Sequence, residues 1–275
     1  MKKIGFIGAG NMGGALITAA CRGNNAQEVL ITDCLPEKAN ALAKQLGCCV
    51  AATNAEIVAQ AHIVMLAVVP QVLHEVLNEI APLLTALREK GEERIVVSMA
   101  AGVSVATLAQ TLGAAQPILR IMPNTPVAIG KGIVLLTTGQ TQPDDVTQAA
   151  VQTFTQTMAA AGNFDCIAET QMEAATVATG CTPAFAYLFL EALADGAVLT
   201  GLPREKALAY CAQAVLGAAS MVLATNEHPG KLKDAVCSPG GSTIVGVAAL
   251  EKGGLRSAAI EAVCAAYHKT IGFEA

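Results

Sequence analysis

Two runs of residues in this 275-residue chain have the types and spacing to do chemistry. The first is Ser238-Pro239-Gly240-Gly241-Ser242-Thr243, lying between the helix-like stretches Glu227–Val236 and Ile244–Lys252. A Gly-Gly-Ser-Thr run that opens a helix turns backbone N–H groups and hydroxyls toward one point, and the helix dipole adds partial positive charge there. Such a corner holds a carboxylate without an arginine. Ser238, Gly240, Gly241, Ser242 and Thr243 are therefore candidate binding residues for a small carboxylated molecule.

The second run is Gly8-Ala9-Gly10-Asn11-Met12-Gly13, after the strand-like Lys3–Ile7 and at the start of the helix-like Asn11–Arg22. Gly8 allows a tight turn, Gly10 lets the backbone approach a pyrophosphate, and Gly13 permits close helix–strand contact. Ile7, Gly8, Ala9, Gly10, Asn11 and Met12 are candidate dinucleotide contacts. Asp33 ends the second strand, 20 residues beyond Gly13, where an acidic side chain accepts from a ribose 2′-OH and repels a 2′-phosphate. This favours NAD(H), although Lys38 is close by, and the alternative reading of Asp33 is a helix cap near Pro36. In an open parallel sheet ligands collect at the carboxyl ends of strands. Those ends here are Ala67-Val68-Val69-Pro70, Ser98-Met99-Ala100-Ala101-Gly102 and Met122-Pro123-Asn124-Thr125-Pro126. They offer small side chains, prolines and backbone groups with no acid–base residue, as a flat nicotinamide ring requires. Asn54 either caps its helix or reaches the adenosine.

The elements that must position these runs follow from periodicity. Up to about residue 165, short apolar strands (Lys3–Ile7, Val29–Thr32, Ile63–Ala67, Ile95–Ser98, Ile118–Ile121) alternate with helical stretches (Asn11–Arg22, Glu37–Leu46, Gln71–Leu87, Val105–Leu112). This alternation predicts an α/β, Rossmann-like doubly wound parallel sheet over residues 1–165. Gly132–Thr137 is a further candidate strand and Asp144–Ala161 a covering helix. From residue 166 to 275 the texture is helical and alanine-rich: Met172–Thr179, Pro183–Thr200, Arg204–Thr225, Ile244–Lys252 and Leu255–Thr270. An all-helical C-terminal domain for substrate binding and dimerisation is expected there.

Hydrophobic residues make up 53% of the chain and charged ones 14%, so its aliphatic surface needs a second copy to cover it. A net charge of −5 argues against a nucleic-acid partner. The nine cysteines show no C-x-x-C spacing, which points to reduced thiols in a cytoplasm rather than a disulfide or zinc framework. Met1-Lys2-Lys3 followed by an apolar run up to Cys21 imitates a lipoprotein signal, but Gly5, Gly8, Gly10, Gly13 and Gly14 break it. No uninterrupted apolar stretch reaches the ~18 residues of a membrane span.

IGFIGAGNMGGAL, LAVVPQ, VVSMAAGV, RIMPNTP, EALADGAVLTGLPR, QAVLGAASMVL and EHPGKLKDAVCSPGGSTI together resemble the pyrroline-5-carboxylate reductase family over nearly the whole chain. The resemblance implies reduction of Δ1-pyrroline-5-carboxylate to L-proline with NADPH or NADH, the last step of proline synthesis. It implies a dimer with interlocked helical domains, often assembled into a decamer. Carried over, Ser238, Gly240, Gly241 and Thr243 hold the substrate, with Thr243 on the ring nitrogen as the catalytic residue. Gly8 to Met12, Asn54, Ala67–Pro70 and Ser98–Ala100 hold the cofactor. The chain departs from the family pattern in three places. Val69 replaces the lysine of AVKP, Cys181-Thr182 replaces Ser-Gly in S-G-S-G-P-A, and Cys34 stands where many members have an arginine. The last departure adds to the Asp33 argument for NADH.

A protonated cyclic imine is already electrophilic, so the absence of His, Lys or Glu at the candidate site is compatible with hydride transfer, given orientation and a dry pocket. A β-hydroxyacid dehydrogenase, the nearest competing enzyme class, needs a lysine on the first long helix of the second domain. Residues 171–202 contain none. A non-catalytic nucleotide-binding protein and a reductase for a six-membered cyclic imine such as piperideine carboxylate are the other readings. His228 and His268 are expected at surface or capping positions, and Arg120 in a structural role.

Overall fold

The computed structural model describes residues 1–272, which form two compact units, Met1–Gly180 and the chain from Cys181 onward. The first unit holds one sheet of eight strands: β1 (Lys2–Ile7), β2 (Val29–Thr32), β3 (Cys49–Val50), β4 (Ala61–Leu66), β5 (Ile95–Ser98), β6 (Ile118–Pro123), β7 (Gly132–Thr137) and β8 (Gly162–Cys166). Their spatial order is β3-β2-β1-β4-β5-β6-β7-β8, so the chain reverses direction across the sheet between β1 and β4. Six helices cover it: α1 (Asn11–Gly23), α2 (Pro36–Leu46), α3 (Asn54–Gln60), α4 (Pro70–Glu89), α5 (Val105–Leu112) and α6 (Asp145–Thr157).

Period-two alternation along the buried strands sorts side chains to the two faces. Ile4 and Phe6 join Ile63, Met65, Leu16, Ile17 and Phe154 in one core, beneath α1, α2 and α6. Ile7 joins Val64, Leu66, Ile57, Leu77, Ile80 and Leu108 in the other, beneath α3, α4 and α5. The doubly wound class expected from the sequence is the one observed.

Three expectations need correction. The sheet is not parallel throughout, because β7 runs antiparallel to β6. Residues 124–131 between them carry only a 3-10 turn, Thr125–Ile129, too short for the dozen-residue crossover that parallel strands require. Strands β3 and β8 had no place in the expected pattern. β3 is two residues long, and β8 reads Gly-Asn-Phe-Asp-Cys with no β-branched residue. The compact unit also continues past the expected division after residue 165, through α7 (Met172–Thr176) and a π-turn, Val177–Cys181, to Gly180. Met172 and Val177 are buried. Arg120 on β6, 3% exposed, pairs with Glu169 at 3.3 Å and Glu173 at 2.8 Å, so the helix start is fastened to the sheet. This is the structural role expected of Arg120.

The second unit is helical: α8 (Thr182–Leu199), α9 (Arg204–Thr225), α10 (Pro229–Ala235), α11 (Ser242–Lys252) and α12 (Leu255–Thr270). Helices α8 and α9 form a hairpin joined through Gly201-Leu202-Pro203, with Arg204 paired to Asp195. Only Ala194 and Ala207 of this unit are fully buried among the described residues. The helical stretches Glu169–Leu199 and Arg204–Thr225 are long and apolar enough to cross a membrane by length and composition, with mean hydropathies of 1.4 and 1.7. They pass as window averages and not as uninterrupted apolar runs: Glu173, Glu191 and Asp195 break the first, and Gln213 and Ser220 the second. Surface this apolar needs cover.

Candidate functional site

The glycine turn connects β1 to α1. Gly8 stands at φ +106°, and a Cβ there would lie 2.4 Å from the Ala67 carbonyl oxygen, so the turn and the end of β4 touch backbone to backbone. A Cβ on Gly13 would lie 2.6 Å from the Gly8 oxygen, which is the close helix–strand approach expected at that position. Gly10 differs: a Cβ there would meet nothing within 4 Å. It caps α1 in extended conformation with no side-chain hydrogen bond, leaving the first-turn amides of Asn11, Met12 and Gly13 without an intrahelical acceptor. Open space above unsatisfied N–H groups at a helix start fits a pyrophosphate.

The neighbouring strand ends come together as expected. The Ala67 amide donates to the Ile7 carbonyl at 2.8 Å, and the Met99 amide donates to the Leu66 carbonyl at 3.3 Å. Ile7, Ala67 and Ala100 are buried, as is Ser98, whose Oγ accepts from the Ala100 amide at 3.3 Å. Val68 is half-buried and Val69 exposed at the cap of α4, with Pro70 opening that helix. These residues form one continuous ledge across β1, β4 and β5 in sheet order.

Asp33 faces the same turn. Its Oδ2 accepts from the Ala9 amide at 2.7 Å and its Oδ1 from the Leu35 amide at 2.9 Å, with the Cys34 thiol at 3.6 Å. Burial works against ionisation, but the Ala9 and Leu35 amides, the Cys34 thiol and the charge of Lys38 outweigh it and hold the carboxyl below its ordinary value. Asp33 does not cap the following helix. Leu35 is the cap residue there, without a side-chain bond. Asn54 is not a cap either. Thr53 caps α3 by accepting from the Glu56 amide at 3.2 Å, and the Asn54 side chain donates to Glu79 Oε2 on α4 at 2.6 Å.

In the helical unit, Ser238-Pro239-Gly240-Gly241 is a β-turn closed by the Gly241 amide on the Ser238 carbonyl at 3.0 Å. Proline at the second position and Gly240 at φ +67° in the third suit the type II form. A Cβ on Gly241 would come within 2.4 Å of Ser238 Oγ, so that hydroxyl lies over the start of α11. Gly241 caps α11 with no side-chain hydrogen bond, and the first-turn amides of Ser242, Thr243 and Ile244 are again without intrahelical acceptors. Ser238, Gly240, Ser242 and Thr243 are exposed. Among the described residues the hexad is therefore an open, amide-rich corner. His228 caps α10 by accepting from the Gly230 amide at 3.1 Å. Lys231 pairs with Glu227, and Lys233 with Asp234, each at 2.6 Å on the exposed face.

Two of the buried polar residues not expected from the sequence hold backbone groups of neighbouring elements. One is Asn124, and the other is Arg94, whose Nε donates to the Val58 carbonyl at the end of α3 at 3.1 Å. Arg94 lies outside the runs quoted above, and Asn124 lies within RIMPNTP, a run whose spacing does not show that this side chain is buried. Arg94 is one charged residue ahead of a strand, and the signal for Asn124 is a proline 59 residues later, at position 183.

Residues 169–272 match the family model described as pyrroline-5-carboxylate reductase dimerisation. Residues 3–102 match the model described as NADP oxidoreductase, coenzyme F420-dependent. The chain is 39% identical to the pyrroline-5-carboxylate reductase of Escherichia coli K12 over 271 residues, 98% of this chain and 97% of the relative. Among solved structures, the pyrroline-5-carboxylate reductase of Coxiella burnetii is 30% identical with a TM-score of 0.82, covering 100% of this chain and 99% of the other. The Plasmodium falciparum pyrroline carboxylate reductase, solved with NADP bound, is 28% identical with a TM-score of 0.81, covering 100% and 98%. With a dinucleotide turn in one unit, an amide-rich corner in the other and a relative this similar over almost its full length, the chain belongs to the pyrroline-5-carboxylate reductase family.

Proposed function

We infer that this chain reduces Δ1-pyrroline-5-carboxylate to L-proline, taking hydride from a reduced nicotinamide dinucleotide. The observation that carries the reading is the uncapped start of α11, where a type II turn and a bare glycine cap leave amides and three hydroxyls free for a carboxylate. When bound, the dinucleotide would supply a hydride to the imine carbon, and the ring nitrogen, already protonated, would keep its proton as it becomes the secondary amine. The Ser242, Thr243 and Ile244 amides bind the carboxylate, and the Thr243 hydroxyl hydrogen-bonds the ring nitrogen. Such a bond contributes about 1–3 kcal/mol where the nitrogen carries charge. No general acid is required, which agrees with a corner built of Ser, Gly and Thr.

Asp33 supports NADH as the better donor. Its ionised carboxyl stands at the end of β2, where a 2′-phosphate would meet like charge, and Cys34 supplies no compensating cation. The first-turn amides of α1, with Ile7 to Met12, would hold the pyrophosphate. Ala67 to Pro70 and Ser98 to Ala100 would line the nicotinamide side. Self-association follows from the dimerisation region at residues 169–272. We read the exposed apolar faces of α8 and α9 as its contact surface, and assembly of such dimers into a decamer as the larger form.

The test is an absorbance assay at the nicotinamide band, with purified protein, NADH or NADPH, and pyrroline-5-carboxylate. Turnover with the five-membered imine is expected, faster with NADH. No turnover with either dinucleotide would leave a nucleotide-binding protein without this activity. Preference for piperideine carboxylate would move the substrate to the six-membered ring.

A further inference from the structure

Asn124 follows β6 and is buried, with 8% of the residue exposed. Both ends of its amide are used. Oδ1 accepts from the Ile133 amide at 3.0 Å, and Nδ2 donates to the Thr179 carbonyl at 3.1 Å. The partners dictate this orientation, since one is an N–H and the other a C=O.

The Thr179 carbonyl lacks its ordinary α-helical donor for a reason visible in the chain. In an α-helix it would accept from the N–H of residue 183, and residue 183 is proline. Proline has no N–H, and its ring crowds the carbonyl four residues earlier. The helix meets this with the π-turn Val177–Cys181, directly ahead of Thr182-Pro183. Such single-turn departures are frequent at functional sites. Asn124 and Thr179 lie in the same compact unit. Strand β6 lies next to β5 in the sheet, and the end of β5 is part of the cofactor ledge described above.

We propose that Asn124 is a positioning residue of the reductase: its amide replaces the N–H that Pro183 lacks and fixes the π-turn Val177–Cys181 against the carboxyl end of β6, beside the nicotinamide side of the ledge. The proposal rests on the reductase reading. Asn124 touches no reacting atom. It sets the backbone that borders them, where a displacement of about 1 Å can cost on the order of a hundredfold in rate.

Asn124→Asp keeps an acceptor for the Ile133 amide but turns a second oxygen toward the Thr179 carbonyl, so the π-turn loses its clamp. The experiment compares full-length wild type and variant with whichever of NADH or NADPH supports wild-type turnover. Cofactor-binding sites are counted by fluorescence titration, and kcat is expressed per site. The expected result is a fall of about 10- to 100-fold in kcat per site, with cofactor Kd and imine KM close to wild type. Unchanged kcat per site overturns the proposal. So does a loss of rate that only follows a loss of cofactor affinity, because a merely structural role would move both. Should Asn124→Asp not fold, Asn124→Ser, which keeps a small polar group, takes its place, with the same fall expected and the same two results overturning the proposal. A wild type with no imine turnover overturns the reductase reading and this proposal with it. An active wild type beside a fully active variant overturns this proposal alone.

Discussion

The Ala9 amide donates to Asp33 Oδ2 at 2.7 Å, which makes the glycine turn after β1 and the loop after β2 a single hydrogen-bonded piece. The carboxylate proposed to read the ribose therefore also holds the turn proposed to receive the pyrophosphate. Asp33→Ser removes the negative charge that opposes a 2′-phosphate while leaving a small hydroxyl. The ratio of kcat/KM for NADPH over NADH is expected to rise about tenfold, equivalent to ~1.4 kcal/mol. Steady-state kinetics with both dinucleotides measure it, and an unchanged ratio would mean that another residue reads the ribose.

Asp33 also makes stability depend on pH, and the sign follows from the direction of its shift. Its carboxyl titrates below the ordinary value in the folded protein despite partial burial, because two amides, a thiol and Lys38 favour the ionised form. The stabilisation is thus fully present above the unfolded carboxylate pKa of about 3.9 and is lost as pH falls through the lower, folded value. Wild type is expected to melt at higher temperature than Asp33→Asn near neutrality, with the gap closing in acid. Thermal denaturation across the acid range checks this; a gap that stays constant would show that the carboxylate's charge contributes nothing.

Gly8 and Gly10 separate folding from cofactor binding. Gly8→Ala forces a side chain onto φ +106° and drives a Cβ to within 2.4 Å of the Ala67 oxygen, and the backbone conformation alone costs about 1–3 kcal/mol. Its melting temperature should fall along with its cofactor affinity. Gly10→Ala meets nothing within 4 Å in the protein, so the melting temperature should hold while dinucleotide affinity drops at least tenfold, as a methyl enters the pyrophosphate space. Equal affinity in Gly10→Ala would place the pyrophosphate elsewhere.

Thr243→Ala is expected to lower kcat by about 10- to 100-fold, the counterpart of ~1.4–3 kcal/mol, and to leave dinucleotide Kd near wild type. Thr243 is exposed in its own unit, so the protein should fold unchanged. Full kcat in the variant would take Thr243 out of the mechanism.

The local geometry of the two candidate runs was legible because each is written locally. Gly8 to Gly13 sit between a strand and a helix, and Pro239-Gly240 specify the turn that leaves α11 uncapped, so spacing alone was informative. What escaped reading was non-local. Asn54 stands at a helix start, where a cap is a natural expectation, yet Thr53 takes that role one residue earlier and Asn54 turns to Glu79, 25 positions along the chain. The buried Asn124 bonds to a residue 55 positions away, and only the absent N–H of Pro183 hints at it. The reversal at β7 was hidden for a different reason: strand direction depends on whether a connection is long enough to cross back, not on the strand's own residues.

The helical unit cannot account for its own stability, and this leads to the last prediction. Among its described residues only Ala194 and Ala207 are fully buried, while Leu188 is 70% exposed, Leu199 89% and Leu223 80%. Burying one such leucine contributes about 1.5–3 kcal/mol, so the proposed contact between copies would supply much of what holds α8 and α9 in place. A protein stabilised by its own association melts at a temperature that rises with concentration. Wild type is expected to sediment as a dimer or larger and to show that dependence. Leu188→Glu combined with Leu223→Glu should shift it toward the protomer and lower its melting temperature at dilute concentration. A wild type that sediments as a stable single copy, melting at the same temperature at every concentration, would contradict the contact surface assigned to α8 and α9.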